Sequence, residues 1–397
     1  VEKKYKKEEQ YIKDLEKKFY EIISNLEFMP SGRILAHAGT DSTSLASSIA
    51  IPIEDSLEDI FTALLHAVTL QKKTVGTGFN FSKIRPRGSR TSENYGKAVG
   101  PVAFMHIFNS ASELIKCRGN RKSANMAILR CDHPNIIDFI GAKENQTSLN
   151  NFNISVGLTD KFLEAVRKND DYDLTDPFTE KPVSKLNARK IFDMIISTAW
   201  KRGEPGLLFL DNINRKNPTP ELEKLEITSS CAEMALYPYE GAFLGSINLE
   251  KFVNNNEIDY EKLGYVIKLA VRFLDNSIDV SNYPIEKVNE ITKANRKIGL
   301  GVMGFADLLY ELQIPYNSER ALEIAEELIK FIQKTAREES ANLGVEKGNF
   351  PNYKKSIFVK KTPMRNSTVT AIAPSGSISI LSETSNSIEP NFAIGYM

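Results

Sequence analysis

Cys231 and Glu233 stand two residues apart in the run Thr228-Ser229-Ser230-Cys231-Ala232-Glu233. On an extended segment residues i and i+2 project to the same face, so a thiol and a carboxylate at this spacing can address one substrate. The chemistry on offer is a sulfur-centred reaction assisted by a carboxylate base. Against that stands the ordinary behaviour of a lone cysteine, which is more often an inert buried hydrophobe. No histidine lies nearby in sequence to complete a hydrolytic Cys-His pair. The chain holds three cysteines, Cys117, Cys131 and Cys231, and four histidines, His37, His66, His106 and His133. Neither set has CxxC or HExxH spacing, which argues against a zinc hydrolase and leaves the histidines as structural residues. Three cysteines in a chain this long do not make a disulfide scaffold.

Other segments carry the residue types that hold phosphate. Ala373-Pro374-Ser375-Gly376-Ser377-Ile378-Ser379 follows the apolar stretch TVTAI. Small hydroxyl residues after a strand expose backbone N–H groups, and a helix start there makes an anion site. A simple Pro-Gly turn explains the same residues. The segment from 85 to 100, RPRGSRTSENYGKAVG, holds Arg85, Arg87, Arg90 and Lys97 among glycines, and the segment from 117 to 125, CRGNRKSAN, holds Arg118, Arg121 and Lys122. Each reads either as a solvated loop or as a phosphate-binding one, since a guanidinium fork matches phosphate oxygens. Gly299-Leu300-Gly301-Val302-Met303-Gly304 fits GxGxxG, but the preceding KANRK is not a buried strand. The dinucleotide fingerprint needs strand, turn and helix in that order, so these glycines read instead as close packing at a helix start.

The elements that would position these residues follow from the apolar pattern. Ser48 to Ile53, Phe152 to Leu158, Leu207 to Leu210, Ser246 to Leu249 and Thr368 to Ile372 read as short buried strands. Between them the periodicity predicts helices over 188–202, 260–280 and 318–343, with another opening at Asp55 or Ser56. Residues 2 to 28 read as an amphipathic helix stopped by Met29-Pro30-Ser31-Gly32. Such alternation predicts an α/β protein with parallel strands, each crossover taking a helix. With 397 residues the length allows roughly two to three domains or one large barrel. No repeat or linker interrupts the pattern, so we expect an N-terminal helical cap over 1–40 and one α/β domain over 41–397.

Composition removes several function classes. Hydrophobic residues make up 41% and charged residues 26%, an ordinary globular balance. Lys+Arg and Asp+Glu are each 51, so the basic excess of a DNA-binding protein is absent. No apolar run reaches the roughly 18 residues that cross a bilayer, and the charged start VEKKYKKEEQ lacks a signal-peptide core. The expectation is a cytoplasmic protein with no membrane and no DNA partner.

Ten blocks in order carry a resemblance: SGRILAHAGT, EDSLEDIF, FSKIRPRGS, ANMAILRCDHPNIIDFIGAK, FNISVGLTDKF, LFLDNINRKNPTP, LGSINL, RFLDNSIDVSNYP, NRKIGLGVMGFADLL and TVTAIAPSGSISI. Together, from about residue 28 onward, they resemble the catalytic chain of ribonucleotide reductases, closest to the adenosylcobalamin-dependent type. The resemblance implies a ten-stranded α/β barrel with a central finger loop. It implies that Cys231 is the radical cysteine that takes the 3′ hydrogen of the ribose, that Glu233 is the base on the 3′-hydroxyl, and that Ser229 stands where the family has an active-site asparagine. Ser47, Ser48 and the loop Pro374, Ser375, Gly376, Ser377 and Ser379 fall on substrate-binding positions. Asp55, Arg85, Arg90, Lys97, Arg118 and Arg121 fall on the site of a deoxynucleoside triphosphate effector and the loops that set substrate choice.

Departures from the family pattern shape the functional expectation. Ser48 and Ala242 occupy the positions of the two cysteines that normally reduce the substrate, and neither supplies electrons. The given sequence stops at Met397, before shuttle cysteines or a radical-relay tyrosine pair would appear, which leaves open a barrel shortened at its C-terminus. We expect reduction of a ribonucleotide with an external reductant, formate being one candidate, in a homodimer that uses adenosylcobalamin. Open beside it stand other radical chemistry on a nucleotide, a nucleotide-binding regulatory protein without catalysis, and a separate metal-containing radical subunit.

Overall fold

The computed structural model describes residues 1–91, 96–115, 123–145 and 148–393. Two compact units divide the chain. One comprises residues 48–217 and 223–240, and the other comprises 1–47, 218–222 and 241 onward. No described helix is long and apolar enough to cross a membrane.

In the unit that begins at Ser48, five parallel strands pair in the order Ser48–Ile51, Gly76–Asn80, Asn125–Arg130, Phe152–Leu158 and Gly206–Phe209. Helices between them make the crossovers that parallel pairing demands, among them Leu57–Gln71, Pro101–Leu114 and Ala188–Arg202. Side chains mark the starts: the Ser56 hydroxyl accepts from the Asp59 N–H, and Asn187 caps Ala188–Arg202 through the Lys190 N–H. Register separates the two faces of this sheet. Thr77, Phe79, Asn125 and Phe152 face one way, where Phe79 meets Phe108 edge-on at 5.0 Å and Gln71 donates to Asn125 at 2.8 Å. Ser48, Gly76, Gly78, Asn80, Met126 and Asn153 face the other way, beneath a short hairpin. That hairpin pairs Ile227–Thr228 antiparallel with Ala235–Leu236.

Within the other unit, Gly241–Asn248 pairs parallel with Ile298–Met303 and antiparallel with Phe28–Pro30. Long helices Tyr260–Val280 and Glu319–Lys347 belong here. Met29, Met303 and Ile378 form a small apolar core with Ile23 and Leu26.

Several expectations need correction. The N-terminal pattern forms a 3-10 turn, Glu2–Tyr5, and a separate helix, Glu9–Ser24, because Lys6 takes a left-handed conformation with φ 58° between them. Ile298–Met303 is a strand rather than a helix start, and the helix Phe305–Glu311 opens only after Gly304. Gly301 is needed there because a Cβ would lie 2.4 Å from the Ala371 carbonyl oxygen. Thr368 to Ile372 contributes one isolated bridge, Leu300 to Thr370, instead of a full strand. Among the described residues, the α/β architecture is as expected, with five of these strands in one unit and three in the other.

Candidate active site

The hairpin Ile227–Leu236 lies close enough to its sheet that only glycine fits beneath it. A Cβ on Gly78 would stand 1.8 Å from the Thr228 carbonyl oxygen, and one on Gly76 would stand 3.0 Å from the hydroxyls of both Ser48 and Ser230. Asn80 donates to the Glu226 carbonyl at 2.9 Å, and Asn153 donates to the Ser230 carbonyl at 2.7 Å. Ala232 packs on the Met126–Ile128–Leu208–Leu210 cluster. Cross-strand polar side chains and two glycines thus seat the turn that carries Cys231.

The turn itself is closed from within. Ser229 N–H donates to the Met234 carbonyl at 2.9 Å, and the buried Ser229 hydroxyl accepts from Met234 N–H at 3.0 Å. Ala232 has a left-handed backbone, φ 64°. Cys231 and Glu233 are therefore brought together by a turn, not by the extended strand that the i, i+2 spacing suggested. The Cys231 N–H donates to Glu233 Oε2 at 3.0 Å. The Cys231 residue is exposed, which removes the reading of an inert core thiol. Burial pushes the Glu233 carboxyl above the usual carboxylate range, against the smaller opposing pull of the Ser229 hydroxyl and two backbone amides. An acceptor moved toward neutral pH beside a reachable thiol is the arrangement a carboxylate base requires.

Ser48 is buried and its hydroxyl meets the Ser230 hydroxyl at 2.9 Å. Ala242 is fully buried in the other unit, where its carbonyl accepts from the Ser47 N–H at 2.8 Å. Cys131 is buried as well, and burial pushes its thiol up to about 12, which makes it inert at neutral pH. Cys117 lies outside the described residues. His133 accepts from the Asn135 N–H at 3.0 Å and pairs with the Ile84 carbonyl at 2.8 Å, as a satisfied structural histidine does.

The serine loop in the other unit is a tight turn into the short helix Gly376–Leu381. Ser375 is left-handed, and its hydroxyl accepts from Ser387 N–H at 2.9 Å. Ser379 donates to the Gly376 carbonyl at 3.0 Å. Ser377 lies directly over Gly32, where a Cβ would stand 2.8 Å from its hydroxyl. Pro374 precedes the turn. Beside Gly32, the Ser31 hydroxyl is shielded from solvent without a hydrogen-bond partner. Reading the sequence missed Ser31, although a hydroxyl before a helix start in MPSGR is the signal that would have found it.

At the effector-site candidates, Asp55 is already engaged. Arg85 donates to it from its backbone N–H at 3.0 Å and from Nε at 2.7 Å, and its guanidinium stacks on Phe178 at 4.6 Å. Asp55, Ser56, Arg85, Thr91 and Lys97 line a cavity of about 680 Å³. The Arg85 guanidinium also donates to the Arg90 carbonyl at 3.3 Å, and Arg90 bridges to Lys97. Arg87 instead donates its N–H to Asn135 at 2.9 Å beside a neighbouring cavity of about 550 Å³ that includes His106 and Asp138. Arg118, Arg121 and Lys122 lie outside the described residues.

The family described as "Ribonucleotide reductase, barrel domain" matches residues 46–360 and 357–397. The chain is similar to the vitamin B12-dependent ribonucleoside-diphosphate reductase of Thermoplasma acidophilum, 45% identical over 383 residues, covering 96% of this chain and 50% of that one. A reductase of the same description from Mycobacterium tuberculosis is 45% identical over 380 residues, covering 96% and 55%. The ribonucleoside-diphosphate reductase subunit alpha of Chlamydia pneumoniae is 26% identical over 447 residues, covering 94% and 43%. The chain spans about half the length of the curated relatives it matches.

Proposed function

The chain belongs to the ribonucleotide reductase barrel family, and from that premise we propose that it performs radical-based reduction of ribonucleotides to 2′-deoxyribonucleotides through a Cys231 thiyl radical. The observation that carries this reading is the exposed Cys231 on a turn closed by Glu233, whose carboxyl burial pushes up. In this reading Cys231 takes the 3′ hydrogen, Glu233 accepts the proton of the 3′-hydroxyl, and Ser229 stands at the position of the family's asparagine while bracing the turn. Pro374 to Ser379 hold the substrate phosphates, with Ser31 as a further donor. The short helix and left-handed Ser375 support that role, because the first backbone N–H groups of a helix have no partner within it and Gly376 and Ser377 are exposed there. The hairpin turn on its sheet is the finger loop of the ten-stranded barrel that the family implies.

Adenosylcobalamin is the cofactor we assign, on the names of the relatives. It fits one feature of this chain: the thiol it would address is at the exposed end of a turn rather than sealed in a core. When bound, it supplies the organic radical that oxidises the Cys231 thiol. Ser48 and Ala242 leave no dithiol at the positions of the family's reducing pair, so the two electrons and two protons that replace the 2′-hydroxyl and release it as water come from an external reductant. The absence of that pair also favours a second reading, elimination on the nucleotide without net reduction.

The cavity around Asp55, Arg85 and Lys97 is assigned to a deoxynucleoside triphosphate effector. The protein is read as a cytoplasmic homodimer. Leu57, Phe61 and Leu65, 66%, 51% and 63% exposed at four-residue steps along one helix, supply an apolar stripe for that contact.

The test is turnover with cobalamin, each ribonucleotide and candidate reductants including formate, followed by product analysis and a mass measurement of the assembly. Deoxyribonucleotide is the expected product, and Cys231→Ser is expected to abolish it while nucleotide binding persists. The serine O–H bond is stronger than the thiol S–H and does not yield the chain-carrying radical. Turnover retained in Cys231→Ser removes this cysteine from the reaction. Free base without deoxynucleotide selects elimination.

A further inference from the structure

We propose that Ser48 is a positioning residue for Cys231: it pins the turn that carries the thiol, acting through Ser230 rather than by touching sulfur or substrate. The proposal rests on the radical role assigned to Cys231 above, and adds a residue to it.

Ser48 is the first residue of the strand Ser48–Ile51 and is 1% exposed. Its hydroxyl oxygen accepts from the Ser230 N–H at 3.2 Å and shares a hydrogen bond with the Ser230 hydroxyl at 2.9 Å. Asn153, two strands further along the sheet from Gly76–Asn80, holds the Ser230 carbonyl at 2.7 Å. Donor, acceptor and side chain of the residue before Cys231 are thus all fixed to the sheet. Both hydroxyls lie over Gly76, in space that any side chain there would invade.

The consequence follows from the turn's own weakness. Its internal backbone bonds run between Ser229, Ala232 and Met234, the Cys231 N–H turns inward to the Glu233 carboxyl, and its exposed end includes a left-handed Ala232. Ser230 is where the sheet grips this end, and Ser48 supplies the grip from below. A reacting atom displaced by about 1 Å can lose on the order of 10²-fold in rate, so a small hydroxyl remote from the chemistry can govern kcat. A thiol at position 48 would be a poorer acceptor for the Ser230 N–H, which gives serine a physical reason to stand where the family pattern has a cysteine.

The experiment uses the full chain with Ser48→Ala, Ser48→Cys and Ser230→Ala, each first checked for wild-type melting. Two readouts need no turnover: hydrogen exchange of the peptide spanning 228–235, and peptide-resolved alkylation of Cys231 by iodoacetamide. The third is kcat and KM for ribonucleotide reduction. In Ser48→Ala, exchange in the turn is expected to quicken about 2- to 10-fold, the factor equivalent to one net hydrogen bond. Alkylation should change with it, and kcat should fall about 10- to 100-fold with KM within about twofold. Ser48→Cys should fall between wild type and Ser48→Ala in all three. Should Ser48→Ala fail to fold, Ser48→Cys carries the test, and Ser230→Ala, which removes the other hydroxyl of the pair together with its 3.9 Å contact to the Cys231 sulfur, is read by hydrogen exchange alone. Unchanged exchange and unchanged kcat overturn the proposal. So does a raised KM at constant kcat, which makes Ser48 a substrate contact instead. If wild type makes no deoxyribonucleotide, the assigned function fails, while exchange and alkylation still decide whether Ser48 holds the turn.

Discussion

Asp279 and Glu233 are both largely removed from water, and their carboxyl groups move in opposite directions. Burial by itself would raise Asp279, but Arg296, at 2.9 Å and 3.1 Å, and then Arg365 outweigh it and hold the group below the usual carboxylate range. Burial also raises Glu233, and there the opposing contacts are a serine hydroxyl and backbone amides, so the rise stands. The difference is the counterion. Around Asp279 the unit that holds residues 1–47 and 241 onward packs Glu2, Arg272, Asp275, Arg296, Lys347 and Arg365 into mutual contact, each charge answered by another. Paired charges of this kind fix structure. A carboxyl that burial raises without a cation to oppose it holds a proton more readily than an ordinary carboxylate, which suits it to moving one.

Breaking the paired region should produce the largest effect. Asp275 is fully buried and accepts from Arg296 Nε at 2.9 Å, Arg365 Nε at 3.3 Å and Asn366 at 3.0 Å. Asp275→Ala leaves two guanidinium groups without their shared partner, which typically costs about 3–5 kcal/mol. Denaturant unfolding followed by fluorescence measures it. A cost below about 1 kcal/mol, the range of surface pairs, would dissolve the contrast between the two regions.

Breaking the other region should leave the fold and remove the chemistry. Glu233→Gln keeps an oxygen to accept the Cys231 N–H but cannot take a proton, so turnover is expected to fall about 10²–10⁴-fold. The stability effect has a definite sign. A carboxyl raised in the folded state favours folding below its unfolded value of 4.5, and this is lost as pH rises through the folded value. The glutamine variant should therefore gain stability relative to wild type on going from acid to neutral pH. A large loss of stability at neutral pH would instead make Glu233 a structural residue.

How much of this was legible in the sequence depends on whether local pattern or tertiary pairing decides. Phe152–Leu158, Ala188–Arg202 and Tyr260–Val280 keep their expected bounds because apolar periodicity and terminal caps agree there. Gly76–Asn80, with sequence GTGFN, shows no alternation, and its strand character comes from two neighbours and from the hairpin that its glycines admit. Thr368 to Ile372 has the apolar run of a strand yet forms one bridge. In the site, Cys231 and Glu233 were visible by type and spacing. Their shared turn was not, since the left-handed Ala232 has no glycine or asparagine to announce it. Asn153 and Ser230 gain meaning only from strand register, which no single segment encodes.

The smallest expected effect sharpens the comparison by reversing the slope of the second. Glu346 belongs to the paired region: hydrogen bonds from Arg272, at 2.9 Å and 2.6 Å, hold its carboxyl down to about 2 against the opposing push of burial, with Lys7 at 3.0 Å assisting. A depressed carboxyl contributes stability that is fully present above its unfolded value of 4.5 and is lost as pH falls through about 2. Glu346→Gln removes that contribution, so wild type should exceed the variant by a constant margin near neutral pH. As the solution is acidified below 4.5 the two melting temperatures should converge. Glu233→Gln, in the same buffers, should lose its advantage over wild type across the acid side. Parallel slopes for the two variants would mean that the local counterion does not set the direction, and the distinction between a region that holds the fold and a region that moves a proton would fall with it.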